Sequence, residues 1–157
     1  MMDIDGMRRR CLAMRSRMGA RAVTRAYNAR LRPVDLQVTE FALLAAVKRA
    51  GHASLRELAE RLALERTTLT RNLQHLETRG LVEPAAQRRE RTKRLRLTAA
   101  GEAVLERAAP LWAAAQDEIE DALGPARLAE VRRALEALAQ AVRRVEAARG
   151  STVAEAP

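Results

Sequence analysis

The stretch ERTTLTRNLQHLETRG, residues 65–80, gathers side chains able to do hydrogen-bond chemistry along one helical rod. At about 100° per residue, Leu69, Leu73 and Leu76 fall within an arc of about 60°. Opposite them stand Thr67, Arg71, Gln74 and Thr78, flanked by Thr68, Thr70 and His75, with Arg66 in the first turn. Arginine forks onto guanine O6 and N7, glutamine pairs with adenine N6 and N7, and threonine bonds a phosphate or touches a thymine methyl. The outward face therefore has the chemistry of base edges, although the same residue types also suit a merely solvated surface. Gly80 stands where a glycine closes a helix.

A second constellation follows directly. Residues 84–98 hold Arg88, Arg89, Arg91, Lys93, Arg94 and Arg96 against the single acid Glu90. Leu81-Val82-Glu83-Pro84 reads as a strand, limited by Pro84 to an edge, and Arg94-Leu95-Arg96-Leu97 alternates as its partner. A basic hairpin of this kind can lie along a phosphate backbone and put an arginine into a narrow minor groove. Neutralising phosphates releases counterions, so such binding weakens steeply with salt.

The remaining elements must position these two. Ser54-Leu55-Arg56-Glu57 is a capping box, and Leu55, Leu58, Ala59 and Leu62 predict a short amphipathic helix over 55–62, joined to the 65–80 rod by a tight turn. Ahead of it, Thr39 is the expected N-cap of a helix over 40–50 that buries Phe41, Leu43, Leu44 and Val47 and stops at Gly51. Met7, Cys11, Met14 and Met18 draw one stripe along a first helix, 7–30, ended by Arg32-Pro33. Thr98 caps a long helix that starts at Ala99 and should kink around Pro110. Gly124-Pro125 ends it and opens the last helix. There Leu128, Val131, Leu135, Leu138, Val142 and Val145 repeat at heptad spacing, a seam that needs a facing helix. The polar residues from Gly150 to Pro157 read as a frayed tail.

Composition agrees with this plan and excludes others. The chain has 157 residues, 48% apolar and 31% charged, with aromatics at only 2%, so one mainly helical folded unit is expected. The longest apolar run, Phe41 to Val47, has seven residues, far short of the about 20 that span a membrane. No apolar segment of signal-peptide type follows the N-terminal arginines, and the cytoplasm is the expected location. The lone Cys11 forms no internal disulfide, and with only His52 and His75 beside it no zinc site, or any other metal or cofactor, is expected. No catalytic motif of the hydrolase, metalloprotease or phosphate-loop kind is present, which argues against an enzyme. The net charge of +9 is uneven: residues 1–35 carry nine Arg against three Asp, while residues from 99 onward carry seven basic against ten acidic. A polyanionic partner on one side, nucleic acid before membrane, follows.

The order of capping-box helix, LERTTLTRNLQHLETRGLVE, basic hairpin and LRLTAAG resembles the MarR family of winged helix-turn-helix transcription regulators, whose six-helix plan fits residues 7–148. The resemblance implies a mainly α fold with a small β-hairpin: a DNA-binding region over 36–98, and interlocking dimerisation helices at 7–32 and 99–148. Residues 1–6 and 149–157 are expected to be flexible termini. It implies a homodimer that docks paired recognition helices on double-stranded DNA at a near-palindromic operator, commonly as a repressor. The family's hairpin carries an Asp-x-Arg ahead of the Leu-Thr that opens the next helix. Here Arg91 stands in the arginine position and Arg89 replaces the aspartate.

The resemblance also implies a small aromatic or phenolic effector in a cleft between dimer helices and winged domain, for which Tyr27, Phe41, His52 and Trp112 are the candidate lining residues. Peroxide-sensing relatives carry a reactive cysteine in the first helix. Measured from Tyr27, Cys11 is displaced by two residues, about 200° round a helix, and no second tyrosine exists. Cys11 reads better as a small apolar packing residue, with redox sensing as an alternative. A second alternative is a helical adaptor that keeps a winged-helix shape and meets protein through its basic face.

Overall fold

Leu31, Leu43, Leu44, Leu58, Leu69, Leu76 and Leu95 are each essentially inaccessible to solvent and form a core drawn from the helices and hairpin between residues 31 and 111. The computed structural model describes residues 3, 6–7, 10–50, 55–62, 64–85 and 94–154, without the side chains of 50, 55 and 150–154. The elements are α1 (Leu12–Leu31), a 3-10 turn (Arg32–Val34), α2 (Val38–Ala50), α3 (Leu55–Leu62), α4 (Arg66–Thr78), β1 (Val82–Pro84), β2 (Leu95–Leu97), α5 (Ala99–Leu123) and α6 (Pro125–Ala154). The chain divides into two compact units, Met1–Ala115 and Gln116–Pro157.

Helix α1 begins at Leu12, but Gly6, Met7 and Arg10 ahead of it are helical as well, and the Cys11 N–H donates to the Met7 carbonyl at 3.0 Å, so the expected helix is interrupted at Cys11. Cys11 is extended at its N-cap, without a side-chain cap, and no acid stands in the first turn. Pro33 lies in the 3-10 turn, and Asp35 leaves it in the left-handed region (φ 51°) with its N–H donating to the Arg32 carbonyl.

Helix α2 also departs from expectation. It starts at Val38, so Gln37 rather than Thr39 is the N-cap: the Gln37 carbonyl accepts the Phe41 N–H. The Glu40 carboxylate reaches back to the Gln37 N–H at 2.8 Å, and Asn28 Oδ1, from α1, takes the Val38 N–H at 2.8 Å. An acceptor supplied from another helix overrides the local preference for threonine.

Helix α3 occupies the expected residues and buries Leu58; the Gly51 stop and the Ser54 capping box fall outside the described residues. The Leu64 N–H returns to the Ala59 carbonyl, and the Glu65 carbonyl takes the first bond of α4 from Leu69, which together form the turn between the two helices.

The hairpin is antiparallel, with Val82 opposite Leu97, Glu83 opposite Arg96 and Pro84 opposite Leu95. Helix α5 continues through Pro110 to Leu123. Gly124 (φ 73°) separates α5 from α6, its carbonyl accepting the Leu128 N–H, with Pro125 at the first helical position. Helix α6 runs past Gly150 to Ala154, further than the frayed tail expected from its composition, because each residue added to a formed helix gains a bond without a new nucleation cost. No described helix is long and apolar enough to cross a membrane.

Candidate nucleic-acid interface

Helix α4 is held by three leucines and by its last turn. Leu69, Leu73 and Leu76 are buried, each contributing about 1.5–3 kcal/mol of transfer free energy. At the C-terminus the Gly80 N–H donates to the Glu77 carbonyl and the Leu81 N–H to the Leu76 carbonyl, both at 2.9 Å. This is a Schellman closure, with Gly80 in the left-handed conformation (φ 66°) and Leu76 and Leu81 both buried. The N-terminus is less firmly set, since the Glu65 side chain makes no capping bond.

The leucine side fixes the opposite side outward. Arg66, Thr67, Thr68, Thr70, Arg71, Gln74, His75 and Thr78 are all exposed. Thr70 and Thr78 spend their hydroxyl protons on the Arg66 and Gln74 carbonyls, which leaves their oxygens as acceptors. The Arg71 and Gln74 side chains are exposed and have no partner among the described residues.

His75 differs from its neighbours. Its Nδ1 lies 2.6 Å from Glu40 Oε1, and Glu40 is only 5% exposed. A carboxylate accepts, so Nδ1 carries the proton and Nε2 is the nitrogen left over. The Arg79 guanidinium lies 3.8 Å from the other Glu40 oxygen and 3.2 Å from Asp35. Glu40 thus couples the start of α2 to the last turns of α4, a role its position in the sequence does not announce. The available signal is an acid three residues into a helix, where it can reach back to the N-cap.

Of the basic hairpin, Arg88, Arg89, Arg91 and Lys93 lie outside the described residues. Arg94 is half-buried at the foot of β2, its carbonyl accepting the Ala85 N–H. Arg96 pairs with Glu83 across the strands at 2.6 Å, so its charge is partly neutralised within the hairpin.

The expected aromatic lining comes together in part. Trp112 stacks against Tyr27 (centroids 6.2 Å apart) and Phe41 (5.8 Å), so three scarce rings form one cluster. Tyr27 is buried and Trp112 is 37% exposed, while His52 lies outside the described residues. Cys11 is half-buried at the start of α1. Among the described residues no group of three or more metal-ligating side chains is placed to hold an ion.

Two helices joined by a short turn, the second exposing a hydrogen-bonding face and followed by an antiparallel hairpin, define a winged helix-turn-helix. A family model for the MarR family matches residues 34–94. The chain is similar to the transcriptional regulator MosR of M. tuberculosis, solved in complex with DNA: 39% identity over 86% of this chain and 98% of that one, TM-score 0.76. A second MosR structure gives 38% identity over 85% and 96%, TM-score 0.73. A mutant MarR of E. coli complexed with operator DNA gives 25% identity over 81% and 92%, TM-score 0.73. No curated protein matches the chain significantly. The chain belongs to the MarR family of DNA-binding transcriptional regulators, whose members are not enzymes.

Proposed function

We propose that the protein acts in the cytoplasm as a homodimeric repressor that docks two α4 helices into successive major grooves of a near-palindromic operator. The observation that carries this reading is the outward set Arg66, Thr67, Thr68, Thr70, Arg71 and Gln74 on a helix whose opposite side is anchored by three buried leucines. In this reading Arg71 and Gln74 read bases, Thr67 and Thr68 donate to phosphates, and Thr70, whose hydroxyl proton is held by the Arg66 carbonyl, offers its methyl group to a base edge. Arg88, Arg89, Arg91, Lys93 and Arg94 follow the backbone, with Arg91 in the minor groove.

Dimerisation through 7–32 and 99–148 is supported by apolar residues that the single chain leaves uncovered. On α6, Val131, Leu135, Val142 and Val145 are 41–59% exposed, and Leu128 and Leu138 are half-buried. Met14 and Met18 on α1 are 48% and 68% exposed. A heptad seam left in water is costly, and a second copy removes that cost. Repression then follows by occlusion of the operator.

A small aromatic or phenolic effector at Tyr27, Phe41 and Trp112, with His52, would release the DNA. The stacked rings offer such a ligand a matching surface, and only its differential affinity for the two dimer geometries matters.

The test is DNA retention by fluorescence anisotropy across a salt series. Affinity should fall steeply with salt, as counterions are released, yet remain greater for a selected site than for random duplex. Salt-independent or sequence-blind retention would reject the reading.

A further inference from the structure

A cleft of about 530 Å³ lies between the end of α1, the start of α2 and the last turns of α4, and none of the three stacked rings lines it. Its volume is in the range of small-molecule sites, but its wall is rich in cations and amides. The two carboxylates there are already engaged. Glu40 is taken by His75, the Gln37 N–H and Arg79, and Asp35 by Arg79.

What remains is donor-rich. Arg25 and Arg32 line the cleft, are exposed and have no partner among the described residues. Seven residues of nearly continuous helix separate them, so they share a face at about 10 Å spacing. Asn28 sits between them. Its Oδ1 is committed to the Val38 N–H, which leaves the two N–H donors of its amide for an occupant. Across the cleft, His75 has Nδ1 committed to Glu40, so its Nε2 is the ring nitrogen available to an occupant. Arg17 and Arg21 continue the row from Arg25 at four-residue spacing, and such like-charge neighbours repel one another in the empty state.

We propose that this cleft binds a small molecule bearing two anionic groups, a di- or tricarboxylate or a bisphosphate. One group lies between Arg25 and Asn28 and the other at Arg32, while His75 Nε2, an acceptor when Nδ1 holds the proton, takes a hydroxyl of the same molecule at the far wall. Because that wall belongs to α4, occupancy is linked to DNA affinity. This consequence rests on the DNA-binding reading above, whereas the anion site itself does not.

Isothermal titration of the full chain without DNA, at matched ionic strength, tests the site with citrate, fructose 1,6-bisphosphate and inorganic phosphate as probes. The expected result is saturable binding of citrate or the bisphosphate, one per chain, at least about tenfold tighter than inorganic phosphate. Citrate alone would assign the source to carboxylates, and the bisphosphate alone to phosphate esters. Arg25→Gln with Arg32→Gln should weaken binding about tenfold or more, while Arg49→Gln with Arg61→Gln, two exposed arginines that do not line the cleft, should leave it unchanged. In the unmutated protein the Asn28 side-chain amide resonances should shift saturably with the same ligand, a readout that does not depend on how the variants fold.

The absence of saturable heat from both multivalent probes would overturn the proposal, as would equal losses in the two double variants or an unmoved Asn28 amide. Loss of DNA affinity in Arg25→Gln/Arg32→Gln, with no small-anion binding to the unmutated chain, would also overturn it and assign the cleft to the DNA backbone. DNA retention measured without any probe tests the earlier reading separately.

Discussion

The Thr98 hydroxyl donates to the Gly80 carbonyl at 2.6 Å, and this bond ties the end of α4 to the start of α5. The same oxygen accepts the Gly101 N–H at 3.0 Å as the N-cap of α5, and the Thr98 N–H donates to the Leu81 carbonyl at 3.1 Å. One residue therefore satisfies an orphan donor of one helix and the carbonyls that leave the other. Thr98→Ala should cost about 1–2 kcal/mol in urea unfolding, with Thr98→Ser retaining most of the stability. An unchanged midpoint in Thr98→Ala would mean that the bond carries no weight.

Gly101 is fixed by the same junction. A Cβ there would collide with the Leu81 carbonyl oxygen, which is backbone and cannot swing aside. Gly101→Ala should destabilise by about 1–3 kcal/mol through overpacking, although alanine is intrinsically the better helix former. A stabilised variant in thermal melting would contradict this close approach.

The exposed α6 seam gives a test in which the single chain should survive. Leu135 is 59% exposed and Leu138 half-buried, so Leu135→Glu with Leu138→Glu places charge where the lone subunit tolerates it and a dimer does not. Sedimentation velocity should find folded monomer. An intact dimer would reject this face as the interface.

In the hairpin, Arg91→Ala should weaken DNA binding by a similar factor on selected and random duplexes and lower the salt slope by about one, as for a backbone or groove contact that reads little sequence. Unchanged affinity at physiological salt would remove Arg91 from the interface.

Much of the architecture is legible in local patterns. Leu58 and Leu62 mark α3, the Leu69, Leu73 and Leu76 arc orients α4, Gly80 ends it, and Thr98 caps α5, each because the information lies within a few neighbouring residues. What the pattern misses is set by distant partners. Asn28 moves the start of α2 to Val38 across ten residues, and Glu40 meets His75 across thirty-five. His75 looks like one more member of the outward face, yet one of its nitrogens serves a buried carboxylate. Likewise the rings of Tyr27, Phe41 and Trp112 are scarce enough to single out, but their mutual stacking depends on tertiary packing.

Selection from a random-sequence duplex pool, performed in parallel with the unmutated protein and Arg71→Ala, tests most directly whether α4 reads bases as one of a pair. The unmutated protein should enrich a near-palindrome whose half-sites are centred about 34–36 Å apart, and Arg71→Ala should lose preference at one symmetry-related position in each half. Enrichment of a single unpaired half-site, or an identical motif from both proteins, would contradict the account.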